Sequence, residues 1–225
     1  GRMDWKKEII KAMQKFSGRY SQYTVFMDWV TCIALAIQNG CTIFQGKVWQ
    51  DREKLYQNIM EKYSHDEQKL LAEMSGMFSI QLEEGEMEDV LGAIYMEAGC
   101  GNKNTGQFFT PFHVSLACAQ LTVREQDVNE AHPLYFNEPS AGSGGMVIAA
   151  ARALKERGIN YQNCMKVVAQ DLDWNCVYMT YVQLSLYGVD GIVVQGNTLT
   201  EPLTSLKAYP KERVFITPKK AGLLL

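Results

Sequence analysis

The segment Asn137 to Gly145 reads NEPSAGSGG, and its residue types suit it to holding a ligand. It follows a β-rich run and opens a helical one. Glycines 142, 144 and 145 permit a tight turn and let a ligand approach backbone N–H groups at a helix N-terminus. Such a turn after a first strand suits a nucleotide-like ligand at the carboxyl ends of a sheet. The dinucleotide pattern GxGxxG is not met, because Val147 stands where the third glycine belongs. The Gly-Lys-Ser/Thr of a P-loop is also missing from this turn. Six cysteines (32, 41, 100, 118, 164, 176) form no CxxC pair, and His65, His113 and His132 are scattered. Neither set has metal-ligand spacing, so the thiols read as incidental or buried ones in a reducing cytosol.

The elements that must position the glycine turn follow from periodicity. In the first hundred residues Trp5, Ile9, Met13 and Phe16 recur at helical spacing after Asp4, an N-cap type. Tyr23 to Gln38 is apolar nearly all round and stops at Asn39-Gly40. Ser64 and Glu67 have capping-box spacing and open a helix to about Phe78. A further helix begins near Glu86, with Val90, Leu91, Ile94 and Tyr95 on one face, and the acidic stretch Glu83 to Glu86 reads as a solvated loop. Thr110-Pro111 has the types of a helix start, Thr as N-cap and Pro in the first position.

Past residue 130 the rhythm changes. Short β-rich runs (Leu134 to Asn137, Lys166 to Ala169, Ile192 to Gln195, Arg213 to Ile216) appear, with helical stretches Met146 to Glu156 and Trp174 to Tyr187 between the first three. That alternation predicts a parallel sheet with helices on its faces, an α/β doubly wound unit. The boundary is expected near the Gly/Asn-rich stretch 101–106, giving an all-helical N-terminal domain (1–105) and an α/β core (106–225).

A length of 225 residues, 47% hydrophobic and 21% charged, excludes a disordered or collagen-like chain. The net charge of −3 argues against gripping nucleic acid through a strong global positive field. One basic cluster, Lys207, Lys211, Arg213, Lys219 and Lys220, offers at most weak, salt-sensitive phosphate contacts; a solvated tail is the other reading. Gly1-Arg2 ahead of Met3 reads as an expression scar, no signal peptide is visible, and the apolar run 25–37 is too short to span a bilayer. A cytoplasmic location without membrane contact is the expectation.

Four segments, taken in order, resemble the adenine-N6 DNA methyltransferases, particularly the modification subunits of type I restriction-modification systems. They are DVLGAIY (Asp89 to Tyr95), GQFFTP (Gly106 to Pro111), EPSAGSG (Glu138 to Gly144), and the pair AQDL (Ala169 to Leu172) and GNTL (Gly196 to Leu199). The likeness covers residues 86 to 200. It implies a Rossmann-like core with sheet order 3-2-1-4, incomplete in this chain, and S-adenosylmethionine as cofactor across the carboxyl ends of strands one to three. By that resemblance Asp171, with Leu172 beside it, accepts the ribose hydroxyls. Asn197 reads the adenine edge, with Thr198 and Leu199 alongside. Glu138, Pro139, Ser140 and the stretch Ala141, Gly142, Ser143 and Gly144 face the methionine amino group and sulfonium. Phe109, Thr110 and Pro111 close over the methionine. Read from the residues alone, Asp171 also suits a helix cap, Asn197 a turn, one of Phe108 and Phe109 the core, and Asp173 a helix start.

One motif breaks the likeness. The family's Asn/Asp-Pro-Pro-aromatic, which engages the N6 amino group and stacks on the flipped base, has no counterpart, since no two of the six prolines are adjacent. The degenerate position is Thr217, Pro218, Lys219 and Lys220. The chain reaches Leu225 before further strands or a target-recognition domain, which reads as a truncated piece or a degenerate relative. Two functions are expected from this: a subunit or fragment of an adenine-N6 DNA methyltransferase, or a non-catalytic cofactor-binding or interaction module derived from one. A small-molecule methyltransferase is a third reading. The implied partners are DNA, a specificity subunit or other restriction-modification subunits.

Overall fold

The computed structural model describes residues 2–16, 18–42, 46–101, 107–201 and 209–223. Gly106 of the GQFFTP motif, most of the expected boundary (102–106) and Lys207 lie outside these. Helix α1 (Trp5–Gln14) starts at Asp4, whose carboxylate accepts the Lys6 and Lys7 N–H groups. Helix α2 (Gln22–Gly40) is capped by Ser21 and buries apolar side chains on most of its circumference. Helix α3 (Lys47–Met60), which has no fully buried residue, was not marked in the sequence. Helix α4 (His65–Glu84) opens with the reciprocal Ser64–Glu67 capping box and runs past Phe78, taking in part of the expected acidic loop. Helix α5 (Val90–Glu97) is capped by Asp89. Helix α6 (Phe112–Val123) corrects the Thr110-Pro111 assignment: Pro111 itself stands at the N-cap, and no side chain caps the helix.

The second half runs β1 (Leu134–Glu138), α7 (Gly145–Glu156), α8 (Tyr161–Cys164), β2 (Met165–Asp171), α9 (Trp174–Leu186), β3 (Asp190–Gln195), a 3-10 turn (Lys211–Arg213) and β4 (Val214–Ile216). Strands β1 to β3 are neighbours and parallel, as the alternating pattern requires. The fourth strand is a correction: it pairs antiparallel with β3, so the sheet reads β1-β2-β3-β4 and not 3-2-1-4. Nonlocal contacts account for this placement. Phe215 packs against Tyr178 and Tyr181 of α9 and sits beneath the Arg52 guanidinium, 4.3 Å from the ring centroid. The outer edge of β4 is taken up by side chains, with Arg52 donating to the Val214 carbonyl (3.1 Å) and the Ile216 N–H donating to Gln38 (2.7 Å). Occupied N–H and C=O groups offer no template for another strand.

Among the described residues the helices that follow β1 and β2 do not lie on opposite faces, as a doubly wound sheet would have them. Residues aligned across the strands share a face, and Phe215 on one face meets α9 while Tyr135 and Asn137 of β1 on the other are exposed. Helices α7 and α9 therefore cover the same face, with α2 packed over α9 behind them. The buried apolar cluster is continuous from Ile9 and Phe16 through Trp29, Phe78 and Leu91 to Val147, Val167 and Phe215. The helical half thus forms an outer layer on one side of the sheet, leaving the carboxyl ends of β1 and β2 clear for a site.

Candidate cofactor site

The glycine turn lies where the sequence places it, between β1 and α7. Gly142 and Gly144 adopt φ of 58° and 94°, left-handed values that L side chains rarely take. A Cβ on Gly142 would also meet the Phe109 ring at 3.4 Å, and one on Gly144 the backbone of Thr180 at 3.3 Å. Asp171 ends β2 beside this turn. Its Oδ2 accepts the Gly142 N–H at 2.9 Å and its Oδ1 accepts the Asp173 N–H at 2.9 Å. The helix cap is Asp173 instead, which accepts from Asn175 N–H at 2.8 Å and from the Gln107 amide at 2.9 Å.

Of these residues Gly142, Asp171 and Gln107 line a cavity of about 330 Å³, together with Glu138, Ser140, Ala141, Ser143, Gly145, Phe108, Phe109 and Thr110, whereas Gly144 and Asp173 do not. Phe109 is held from behind by Tyr95 of α5, ring centroids 5.0 Å apart, whereas Phe108 is exposed. Asp89 and Ser115, from the helical half and from α6, complete the wall. Sequence reasoning gave Asp89 no site role; its carboxylate position one residue before an apolar helix was legible only as an N-cap signal.

Three of the lining residues are carboxylates, and none of the described lining residues is Lys, Arg or His. Burial raises all three carboxyl groups. Asp89 is enclosed despite hydrogen bonds that favour its charge, and Glu138 and Asp171 are raised further by neighbouring acids, Asp171 and Asp173 respectively. A carboxyl with a raised folded pKa stabilises the fold fully below its unfolded pKa and loses that contribution as pH rises through the folded value. Each of the three groups is therefore costly in its charged form, a cost that a bound cation relieves. Cation affinity should fall as pH drops from neutral through the raised carboxyl range, by up to about tenfold per pH unit for each proton displaced. Titrations at several pH values check this; an affinity flat with pH contradicts it.

The third strand's motif reaches the same end of the sheet without lining the cavity. Gly196 N–H donates to the Asp171 carbonyl (2.9 Å), and the Thr198 hydroxyl donates to the Pro139 carbonyl (2.6 Å), tying this loop to the glycine turn. The Asn197 side chain accepts the Leu199 N–H, and Leu199 is 92% exposed. Leu172 is exposed as well, and Pro111 stands at the start of α6.

The degenerate position is elsewhere. Because β4 runs antiparallel, Ile216 pairs with Ile192 and Thr217 falls at the amino end of β3, the opposite end of the sheet from the cavity. Thr217 is fully buried, its hydroxyl donating to the Val189 carbonyl (2.7 Å) and accepting the Gly191 N–H (3.1 Å). It is a structural tie, and Pro218, Lys219 and Lys220 follow it away from the site. The basic cluster is likewise dispersed. Arg213 is engaged at the carboxyl end of β3 by Gln195 and Glu201, and Lys219 at the other end by Asn163.

A family model described as N-6 DNA Methylase matches residues 86–217, more than half of the sequence. The chain belongs to the N-6 DNA methylase family. Among solved structures it is similar to the methyltransferase subunit of a type I restriction-modification system from Streptococcus thermophilus, at 16% identity and a TM-score of 0.46, over 90% of this chain and 41% of that one. It is also similar to a putative class I S-adenosylmethionine-dependent methyltransferase from Listeria monocytogenes, at 15% identity and a TM-score of 0.48, over 83% of this chain and 57% of that one. The chain spans about half the length of these two structures. Family membership implies S-adenosylmethionine as cofactor, and the cavity's chemistry fits it. A ligand bearing a sulfonium and an ammonium suits a wall with three carboxylates, and the close backbone of the glycine turn leaves room that a Cβ at Gly142 would fill. Among the described residues there is no cluster of three or more metal-ligating side chains, and no helix is long and apolar enough to cross a membrane.

Proposed function

We propose that this chain is the cofactor-binding part of an S-adenosylmethionine-dependent adenine-N6 DNA methyltransferase of the restriction-modification type. The observation that carries this reading is the carboxylate-walled cavity behind the EPSAGSG turn, with no cation among its described lining residues. Asp171 accepts the ribose hydroxyls, while Glu138 and the backbone of Ala141 to Gly144 face the methionine end. Phe109, braced by Tyr95, and Thr110 form the roof over the methionine. When bound, the cofactor supplies an electrophilic methyl group on a positively charged sulfur.

A second reading has its own observation. The segment that takes the place of Asn-Pro-Pro-aromatic stands at the far end of the sheet, so no group from it reaches a base presented at the cavity. This favours a chain that holds the cofactor while another polypeptide engages the adenine, or one that no longer catalyses. Transfer of a labelled methyl group to adenine-containing duplex DNA tests the two, with and without a specificity subunit of a restriction-modification system. N6-methyladenine formed by the protein alone or with that subunit supports the enzyme. Saturable cofactor binding with no transfer in either case supports the non-catalytic module.

A further inference from the structure

Asp89 is built into the structure at some expense. The residue is 5% exposed, and its carboxylate lies where two glycines from separate helices leave space. A Cβ on Gly92 of α5 would stand 2.1 Å from Oδ2, and a Cβ on Gly145, the first residue of α7, 3.1 Å from it. Gly92 is the third residue of α5, in its first turn, and its φ is not positive, so no left-handed backbone calls for glycine there. The room made for the carboxylate explains why glycine stands there.

The hydrogen bonds around Asp89 favour its charged form, yet a neutral side chain of the same shape could satisfy them as well. Oδ1 accepts both the Gly92 N–H (2.9 Å) and the Gln183 amide (2.7 Å), and Oδ2 pairs with the Ser143 hydroxyl (2.5 Å). An asparagine in the same pose keeps Oδ1 for the first two and turns its NH2 toward the Ser143 oxygen, which can accept. A carboxylate adds only its negative charge, and a buried charge is costly unless an opposite charge faces it. The described lining of the cavity provides no such partner. Ser143 and Gly142 are consecutive, one bound by Asp89 and the other by Asp171, so the two carboxylates hold adjacent residues of the same turn.

We propose that Asp89 supplies the negative charge that holds the cationic, methionine end of the cofactor, so that helix α5 completes a site otherwise built from the sheet and its loops. The inference rests on the S-adenosylmethionine reading above. It makes the helical half part of the binding site and gives the DVLG segment a chemical role.

The test compares two ligands on the wild-type chain and on Asp89→Asn. S-adenosylmethionine carries the cationic end; 5′-methylthioadenosine keeps the adenine and ribose but is neutral. Asp89→Asn should retain the wild-type thermal midpoint or exceed it. It should lose about 30-fold or more in affinity for S-adenosylmethionine and bind 5′-methylthioadenosine as the wild type does. Equal losses for both ligands, or no loss for either, would overturn the proposal. If the wild type binds no S-adenosylmethionine, the cofactor reading fails and this inference goes with it.

Should the variant not fold, the wild-type carboxyl carbon of Asp89 followed by NMR provides the same answer. Its titration midpoint should drop on adding S-adenosylmethionine and stay in place with 5′-methylthioadenosine; identical behaviour with the two ligands overturns the proposal. The other titratable groups near it are Glu88, paired with Lys6 at 2.6 Å, Tyr187, and the cavity's Glu138 and Asp171. Their resonances serve as internal comparisons.

Discussion

Asp171→Ala is expected to reduce S-adenosylmethionine affinity by about 100-fold, the equivalent of two charge-assisted hydrogen bonds of about 1.5 kcal/mol each. Strand β2 delivers the Asp171 carboxylate to the cavity wall at its carboxyl end. Each of its oxygens already accepts one backbone N–H, from Gly142 and Asp173, which fixes the carboxylate and leaves further lone pairs for a ribose diol. Removing it deletes the ribose acceptors and also releases the Gly142 N–H, which loosens the turn. Asp171→Asn separates these effects, because the amide retains one acceptor oxygen and most of the shape. It should fall between the wild type and the alanine variant. Calorimetric or fluorescence titration of the folded variants checks this, and an affinity unchanged in Asp171→Ala removes the ribose role.

The second large effect concerns stability. Phe215→Ala should lower the unfolding free energy by about 4 kcal/mol, the usual range for a buried aromatic truncated to alanine. Phe215 is 1% exposed and meets three rings of α9, Trp174 at 6.2 Å, Tyr178 at 5.8 Å and Tyr181 at 5.2 Å between centroids. The Arg52 guanidinium lies over it and also holds the Val214 carbonyl of β4, so truncation removes a cation–π contact from the junction between the helical half and the sheet. The loss should be visible as a lower midpoint in denaturant titration. A change below about 1 kcal/mol, as at an exposed site, would show that β4 contributes little to the fold and that its antiparallel placement on β3 is not held by this cluster.

The two predictions separate what sequence could carry from what it could not. The glycine turn and the first three strands were legible because local chemistry dictates them, whereas Asp171 was singled out only through the family resemblance. Left-handed glycines make the turn, and alternating strand and helix patterns give parallel neighbours. The strand at Val214–Ile216 was legible as a strand, but its partner was not. Its position depends on Phe215 finding α9 and on Arg52 and Gln38 reaching its edge from more than 150 residues earlier in the chain. Thr217 was read as a remnant of a catalytic motif because its flanking residues suggested that alignment, whereas its hydroxyl closes the amino end of β3. Asp89 escaped notice for the opposite reason. Its local role as the cap of α5 is complete in itself, and only the fold brings Ser143 and Gln183 to its carboxylate.

Methyl transfer, the role of Asp89 and the choice between catalytic and non-catalytic readings all depend on whether the hollow at the ends of β1 and β2 takes the cofactor. Isothermal titration of the intact protein with S-adenosylmethionine near neutral pH measures this directly. One-to-one, saturable binding at micromolar concentrations, abolished or strongly weakened in Asp171→Ala, is the predicted result. An absence of saturable heat up to millimolar ligand, from protein shown to be folded, would contradict it.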